Sequence, residues 1–401
     1  MESAYKAVKL TDRVYWVGAI DWTIRDFHGY MTKRGSTYNA YLILADKVTL
    51  IDTVKAPFKD ELLARIASVV DPGHIDIIVS HHSELDHSGC LNEIRDIVRP
   101  EKVYASTMGV KTLQELFHRE TGIIPVKDGE TISLGNMNLT FLETRMLHWP
   151  DSMCSYLREE GILFSQDAFG MHLATSERFS DEIDPAILRY EAATYFANIL
   201  LPYANLVGKV LDKINTSGFP LRMVAPDHGP VWRKDTTGII NSYAQWAAQK
   251  PAMKAVVLYG TMWRSTEAMA RHIGEGLSAA GASVKTMSMD VCHRSDVAYE
   301  LLDAGALVAG SSTLNNHLLP GMADILTYLK GLRPLNLIGA AFGSYGWSGE
   351  AAGQVLDILK EMKVETVGEM LRVKHVPDRE TLTRCQALGE AIARELREKV
   401  Q

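Results

Sequence analysis

Cysteine is scarce in this chain of 401 residues: Cys90, Cys154, Cys292 and Cys385 are the only four, and no two form a C-x-x-C pair. That spacing excludes a thiolate-ligated iron or zinc knuckle within the chain and predicts reduced thiols in a cytoplasmic protein. Positive charge is not in excess either. Forty-two basic residues stand against 49 acidic ones, a net charge of −7 that argues against electrostatic binding of nucleic acid or of an anionic membrane surface. No apolar run approaches the roughly 18 residues of a transmembrane helix. The opening Met1-Glu2-Ser3-Ala4-Tyr5-Lys6 lacks the basic and apolar segments of a secretory leader.

What is present is the composition of a folded, water-soluble chain, 46% hydrophobic and 23% charged, long enough for two domains. Over the first 250 residues, β-rich runs at 14–17, 40–44, 48–51, 75–79, 102–105, 139–142 and 162–164 alternate with turns. Helical patterns at 58–70 and 91–98 lie among them. Strands dominate early and helices intervene later, which predicts a mixed α/β sandwich. Near residue 250 the character changes. Strands at 255–258, 283–286, 306–309 and 337–341 alternate with helices at 266–280, 322–330 and 349–362, the signature of a doubly wound parallel sheet. The expected domains are therefore 1–250 and 251–401.

The most informative stretch is Ser80-His81-His82-Ser83-Glu84-Leu85-Asp86-His87, directly after an apolar strand. In an extended loop, His82, Glu84 and Asp86 project to one side, and His87 adds a further donor. Further donors stand where apolar strands meet polar turns: His148, Asp167 and His228. Burying so many titratable groups together is costly unless cations neutralise them. Four imidazoles and three carboxylates suffice for two metal ions with one carboxylate shared. His81 fits no ligand position and reads as a satisfied buried histidine, while His74, His118 and His317 read as surface or supporting groups.

The first half resembles the metallo-β-lactamase fold, whose hydrolases hold two zinc ions with H-x-H-x-D-H. Here the motif is H-x-E-x-D-H, with Glu84 in place of a histidine. A carboxylate is a harder, negatively charged donor and favours iron over zinc. With this substitution the whole chain resembles the flavodiiron proteins. The resemblance implies an αββα sandwich of metallo-β-lactamase type followed by a flavodoxin-like domain. It assigns His82, Glu84 and His148 to one iron and Asp86, His87 and His228 to the other, with Asp167 bridging. It also places His28 and Tyr195 in the pocket over the metals, as hydrogen-bond or proton donors to bound oxygen.

In the second half, a strand runs into Thr261-Met262-Trp263-Arg264-Ser265-Thr266 and then a helix, a ready anion site. Thr261, Ser265 and Thr266 offer hydroxyls for one phosphate, and the absence of G-x-G-x-x-G favours FMN over NAD or FAD. The stretches Ser312-Thr313-Leu314-Asn315-Asn316 and Ser344-Tyr345-Gly346-Trp347-Ser348-Gly349 follow later strands and complete a flavodoxin-like site. Trp263, Tyr345 and Trp347 offer aromatic faces to the ring. Tyr259-Gly260-Thr261 departs from the acidic residue and serine that the family often carries.

A two-electron flavin beside two irons holds the four electrons that reduce O2 to water, and two suffice to convert two NO to N2O. The resemblance further implies a head-to-tail homodimer or a dimer of such dimers. Electrons would come from outside the chain, from rubredoxin or a similar donor. The competing reading is a zinc hydrolase of metallo-β-lactamase type fused to a flavodoxin domain.

Overall fold

The computed structural model describes residues 5–118 and 122–400. The chain forms two compact units: one runs to Tyr195 and resumes over Asn205–Ala244, and the other takes Phe196–Ala204 and the chain from Gln245 onward.

Two large sheets form the body of the first unit, beside two short two-stranded ones, Ala19–Asp21 with Ser36–Tyr38 and Asp26–Phe27 with Tyr30–Met31. The larger has seven strands in the order Val8–Lys9, Val14–Trp16, Tyr41–Ile43, Thr49–Ile51, Ile77–Ser80, Lys102–Ser106 and Ile124–Val126. The smaller has five, Thr131–Ser133, Asn138–Glu143, Met153–Leu157, Ile162–Gln166 and Met223–Pro226. Strand residues alternate between faces, so one strand feeds two cores. Tyr41, Ile43, Ile51 and Val79 meet Phe141, Leu157, Ile162 and Phe164 between the sheets. Their sequence neighbours Leu42, Leu50 and Ile78 face the other way, against the helices Lys59–Ala67 and Leu91–Val98. This is the sandwich that the strand and helix pattern predicts.

Topology then gathers the polar turns. Asn138–Glu143 and Ile162–Gln166 are each antiparallel to Met153–Leu157, and Met223–Pro226 is parallel to Ile162–Gln166. All three therefore point the same way, and the residues following them emerge at one edge of the sheet. The first motif follows Ile77–Ser80 of the facing sheet, whose neighbours Thr49–Ile51 and Lys102–Ser106 run parallel to it.

The second unit is an open sheet in the order Ser283–Ser288, Ala252–Gly260, Ala304–Leu314 and Ile338–Tyr345, with Glu365–Thr366 and Leu371–Lys374 both pairing with the last. These pairs are all parallel. The helices Ser265–Ala279 and Arg379–Val400 pack together through Met269, Ile273, Leu277, Leu388 and Ile392. At their crossing the backbones nearly touch: a Cβ on Gly276 would lie 2.0 Å from the Gln386 carbonyl oxygen, and one on Gly389 2.1 Å from that of Ile273. Only glycine fits at either position.

Phe164 is fully buried between the two sheets of the first unit. Phe164→Ala should cost that unit about 3–5 kcal/mol, read as a lowered denaturant midpoint by tryptophan fluorescence.

Candidate metal centre and cofactor loops

The first motif does not stay extended. Glu84 is the last extended residue, with φ −60° and ψ 145°, and Leu85–Ser88 closes a helical turn. This corrects the expectation that His82, Glu84 and Asp86 project together. The turn instead divides the motif, sending His82 and Glu84 to one cluster and Asp86 and His87 to another. His148 and Asp167 complete the first cluster and His228 the second, with the donor atoms within each lying no more than 4.8 Å apart.

Asp167 faces both clusters. Its Oδ2 lies 3.1 Å from His148 Nε2 and 3.6 Å from His82 Nε2, and its Oδ1 lies 3.3 Å from Nε2 of both His87 and His228. Glu84 Oε2 stands 3.1 Å from His82 Nε2 and 3.2 Å from His148 Nε2, while Asp86 Oδ2 stands 3.3 Å from His228 Nε2.

These groups are almost wholly buried, and the carboxylate oxygens of Asp86 and Asp167 have no hydrogen-bond donor. His87 Nε2, aimed at the same space, has no partner either. Burial opposes charge on His82, Glu84, Asp86, His87, His148 and Asp167, yet mutual attraction outweighs it. Burial lowers the His82 pKa, but Asp151 and Glu84 beside it carry the value up to about 9. Against the same burial, Asp167 and Glu84 push His148 to about 10. His87 is likewise raised, by Asp86 and Asp167, and Glu84 and Asp167 are held well below the ordinary carboxylate range by the histidines around them. A pair of divalent cations would replace those protons and satisfy the inward oxygens. A mixed imidazole and carboxylate donor set is one that iron accepts.

Around the clusters, the structure places the remaining histidines differently. His28 Nε2 lies 2.5 Å from Glu84 Oε1, the oxygen turned away from His82 and His148, and its side chain is 57% exposed. Tyr195 is buried, its ring 5.2 Å from His172 and 6.3 Å from His228. His172 is a residue that sequence reasoning missed. It is fully buried, its Nδ1 pairs with Ser36 Oγ at 2.7 Å, and its ring lies 4.6 Å from that of His228. Burial and the neighbouring His228 hold it neutral. Nothing in its local sequence, a single histidine in an apolar run, marks it. His81 is a satisfied buried group, with Nδ1 2.6 Å from Asp52 Oδ2 and Nε2 2.8 Å from Ser155 Oγ.

In the second unit, a cavity of about 240 Å³ lies at the carboxyl ends of the strands. Met262, Trp263, Ser265, Ser312, Thr313, Ser344, Tyr345 and Gly346 line it. His375 and Val376, which follow the strand Leu371–Lys374, line it too and were not expected. Thr266 opens the helix Ser265–Ala279 and ties the loops together: its Oγ1 lies 2.9 Å from Ser312 Oγ and 2.8 Å from Ser344 Oγ. Thr261 Oγ1 is buried without a hydrogen-bond partner, and Thr261 itself is not among the residues that line the cavity. Arg264 turns instead to Glu267.

The second stretch is a hairpin. Its strand continues to Leu314 and returns at His317–Leu318, with φ of 50° and 62° at Asn315 and Asn316, the left-handed pair of a tight two-residue turn. Ser348 Oγ donates to Asn316 Oδ1 at 3.3 Å, Trp347 is 89% exposed, and Gly349 caps the helix Glu350–Glu361.

Residues 37–229 match the family described as ODP family beta lactamase, and residues 257–389 match Flavodoxin. A nitric oxide reductase of Moorella thermoacetica is 46% identical over 390 residues, 96% of this chain and 98% of that protein. A rubredoxin-oxygen oxidoreductase of Megalodesulfovibrio gigas is 44% identical over 399 residues, 98% of this chain and 99% of that one. Among solved structures, that of the flavodiiron protein from Giardia intestinalis superposes with a TM-score of 0.95 at 31% identity, covering 100% of this chain and 99% of the other.

Histidines ligate only when deprotonated. With His82 at about 9 and His148 at about 10, protons compete with metal throughout the neutral range. Affinity for ferrous ion should therefore rise with pH up to about 10, and binding at pH 7 should release protons. Anaerobic calorimetry in buffers of different ionisation enthalpy measures that release; equal heats in all buffers would contradict it.

Proposed function

Since this chain belongs to the flavodiiron protein family, we propose that it is a soluble reductase of O2, NO or both, carrying two irons and FMN. The observation that carries this reading is Asp167, with one carboxylate oxygen toward each of two buried donor clusters, one of which contains Glu84. His82, Glu84, His148 and Asp167 would hold one iron, and Asp86, His87, His228 and Asp167 the other. When bound, the irons and flavin supply the electrons that convert O2 to water or NO to N2O.

The chain's own groups then do the rest. The four histidines, drawn by the carboxylates around them, keep their Nε2 atoms turned inward. His28 fixes the outer oxygen of Glu84, and the buried phenol of Tyr195, whose pKa burial and Asp167 raise, stays protonated over the second cluster. In the second unit, Thr261, Ser265 and Thr266 would take the flavin phosphate at a helix N-terminus. The remaining cavity residues, with Leu314, Asn315, Asn316, Trp347, Ser348 and Gly349, would surround the ring and its side chain. Relatives that span both units are named as a nitric oxide reductase and a rubredoxin-oxygen oxidoreductase, which supports this reading over the zinc hydrolase.

Electrons would enter from a rubredoxin-like donor, and two copies would assemble head to tail in the cytoplasm, with the flavin of one serving the irons of the other. No helix among the described residues is long and apolar enough to cross a membrane.

Metal and flavin analysis should return two irons and one FMN per chain. Stopped-flow mixing of the anaerobically reduced protein with O2 and with NO should show flavin reoxidation by at least one of them. Zinc in place of iron, or reoxidation no faster than that of free reduced flavin, would defeat the reading. Mixing Glu84→Ala chains with flavin-free Thr266→Val chains should restore turnover that neither has alone if the copies work head to tail.

A further inference from the structure

Buried carboxylates outside the two clusters mostly have partners. Asp21 accepts from Thr23 and Tyr38, Asp52 pairs with His81, and Glu191 pairs with Arg34. Asp151 and Asp227 are different. Asp151 is 1% exposed; its Oδ2 accepts from the Ser83 backbone N–H at 2.8 Å and from the Ser83 hydroxyl, but its Oδ1 has no hydrogen-bond donor. Asp227 is fully buried and neither of its carboxylate oxygens has one.

Each unpaired oxygen faces the back of a motif histidine. Asp151 Oδ1 lies 3.4 Å from His82 Nδ1, and Asp227 Oδ2 lies 3.7 Å from His87 Nδ1. Both Nδ1 atoms are themselves without a hydrogen-bond partner. On the far side of each ring, Nε2 points into a cluster: His82 Nε2 is 3.1 Å from Glu84, and His87 Nε2 is 3.3 Å from Asp167. His228 is supported in another way, its Nδ1 standing 2.6 Å from the Thr37 carbonyl oxygen.

We propose that Asp151 and Asp227 are positioning residues, one for each metal: Asp151 orients His82 in the first cluster and Asp227 orients His87 in the second. The proposal rests on the two-iron reading above. A neutral imidazole has one proton, so an Nε2 that ligates a metal leaves that proton on Nδ1. The aspartate behind it, 3.4 Å away for His82 and 3.7 Å for His87, is placed to accept that proton once the ring closes the gap, which would fix the tautomer and ring plane and strengthen the ligand. The two aspartates are mounted differently. Asp151 is pinned by Ser83, which lies between His82 and Glu84, so it also joins the turn after His148 to the motif. Asp227 is fixed through its main chain, its N–H donating to the Gln166 carbonyl at 2.9 Å and its carbonyl accepting from Asn39 at 2.7 Å. Its side chain is committed to no other residue, so His87 is the partner available to it.

The test uses the full FMN-loaded chain, stripped of metal and titrated anaerobically with ferrous ion against a competing chelator. Asp151→Asn and Asp151→Ala should each weaken one of the two binding constants by roughly 10–100-fold. The Asp227 substitutions should weaken the other. Alanine should cost more than asparagine, because an amide oxygen still accepts the Nδ1 proton. A His148→Ala background, which disables the first cluster, assigns the sites. There Asp227→Ala should still weaken the remaining ion and Asp151→Ala should not. Mössbauer spectra of the 57Fe-loaded chain should show one altered doublet per variant. Two unaltered constants in the Asn and Ala variants would overturn the proposal, as would an equal loss at both sites from either aspartate, the result of a mere packing role. If an alanine variant does not retain FMN and fold, the asparagine variant of the same shape decides. A wild-type chain that takes up no iron pair would defeat the two-iron reading itself.

Discussion

Asp167 is the constraint around which the first unit is organised. One carboxylate, fully buried at the end of a strand, has an oxygen within 3.3 Å of a histidine in each cluster. Seven ionisable side chains drawn to such a point would drive the sheets apart if left uncompensated, because low dielectric magnifies like-charge repulsion as much as attraction. They are tolerated because imidazoles and carboxylates interleave, and because the strand ends that deliver them are anchored in a dry core built from Phe141, Ile162 and Phe164. Rigidity in the apolar layer is thus what permits so polar a centre.

Much of this arrangement was legible beforehand, since each donor stands at the junction of an apolar run with a polar turn. β-rich apolar runs bounded by turns located the strands that matter, and the histidines and carboxylates identified themselves by type. The path of the motif backbone was not legible. Alternation of His82, Glu84 and Asp86 is equally compatible with an extended loop and with a loop that turns helical at Leu85, and only the packed structure distinguishes them. His172 escaped notice because a buried histidine in an apolar stretch has the same sequence signature whether it supports a centre or merely packs.

In the second unit strand and loop order was plain, but one helix in each unit was not. Pro185–Tyr195 is buried on most of its circumference, with Leu188, Glu191, Ala192 and Ala193 all inside, so it lacks an amphipathic stripe. Arg379–Val400 is dense in charge, and its buried face of Cys385, Leu388, Gly389, Ile392 and Leu396 is diluted by small residues. His375 and Val376 reach the cavity because their strand pairs with Ile338–Tyr345, a neighbour distant in sequence. Long-range pairing of that kind has no local signal.

The crossing of the helices at Gly276 and Gly389 has a consequence for how this unit would hold an anion at the turn Thr261–Thr266. Two rods that touch backbone to backbone have no side-chain cushion between them, so neither slides or tilts without the other. The turn at Thr261–Thr266 sits at the head of one rod, and its steadiness is therefore inherited from the other. Two hydrogen atoms in place of side chains, at Gly276 and Gly389, are what allow the rods to touch.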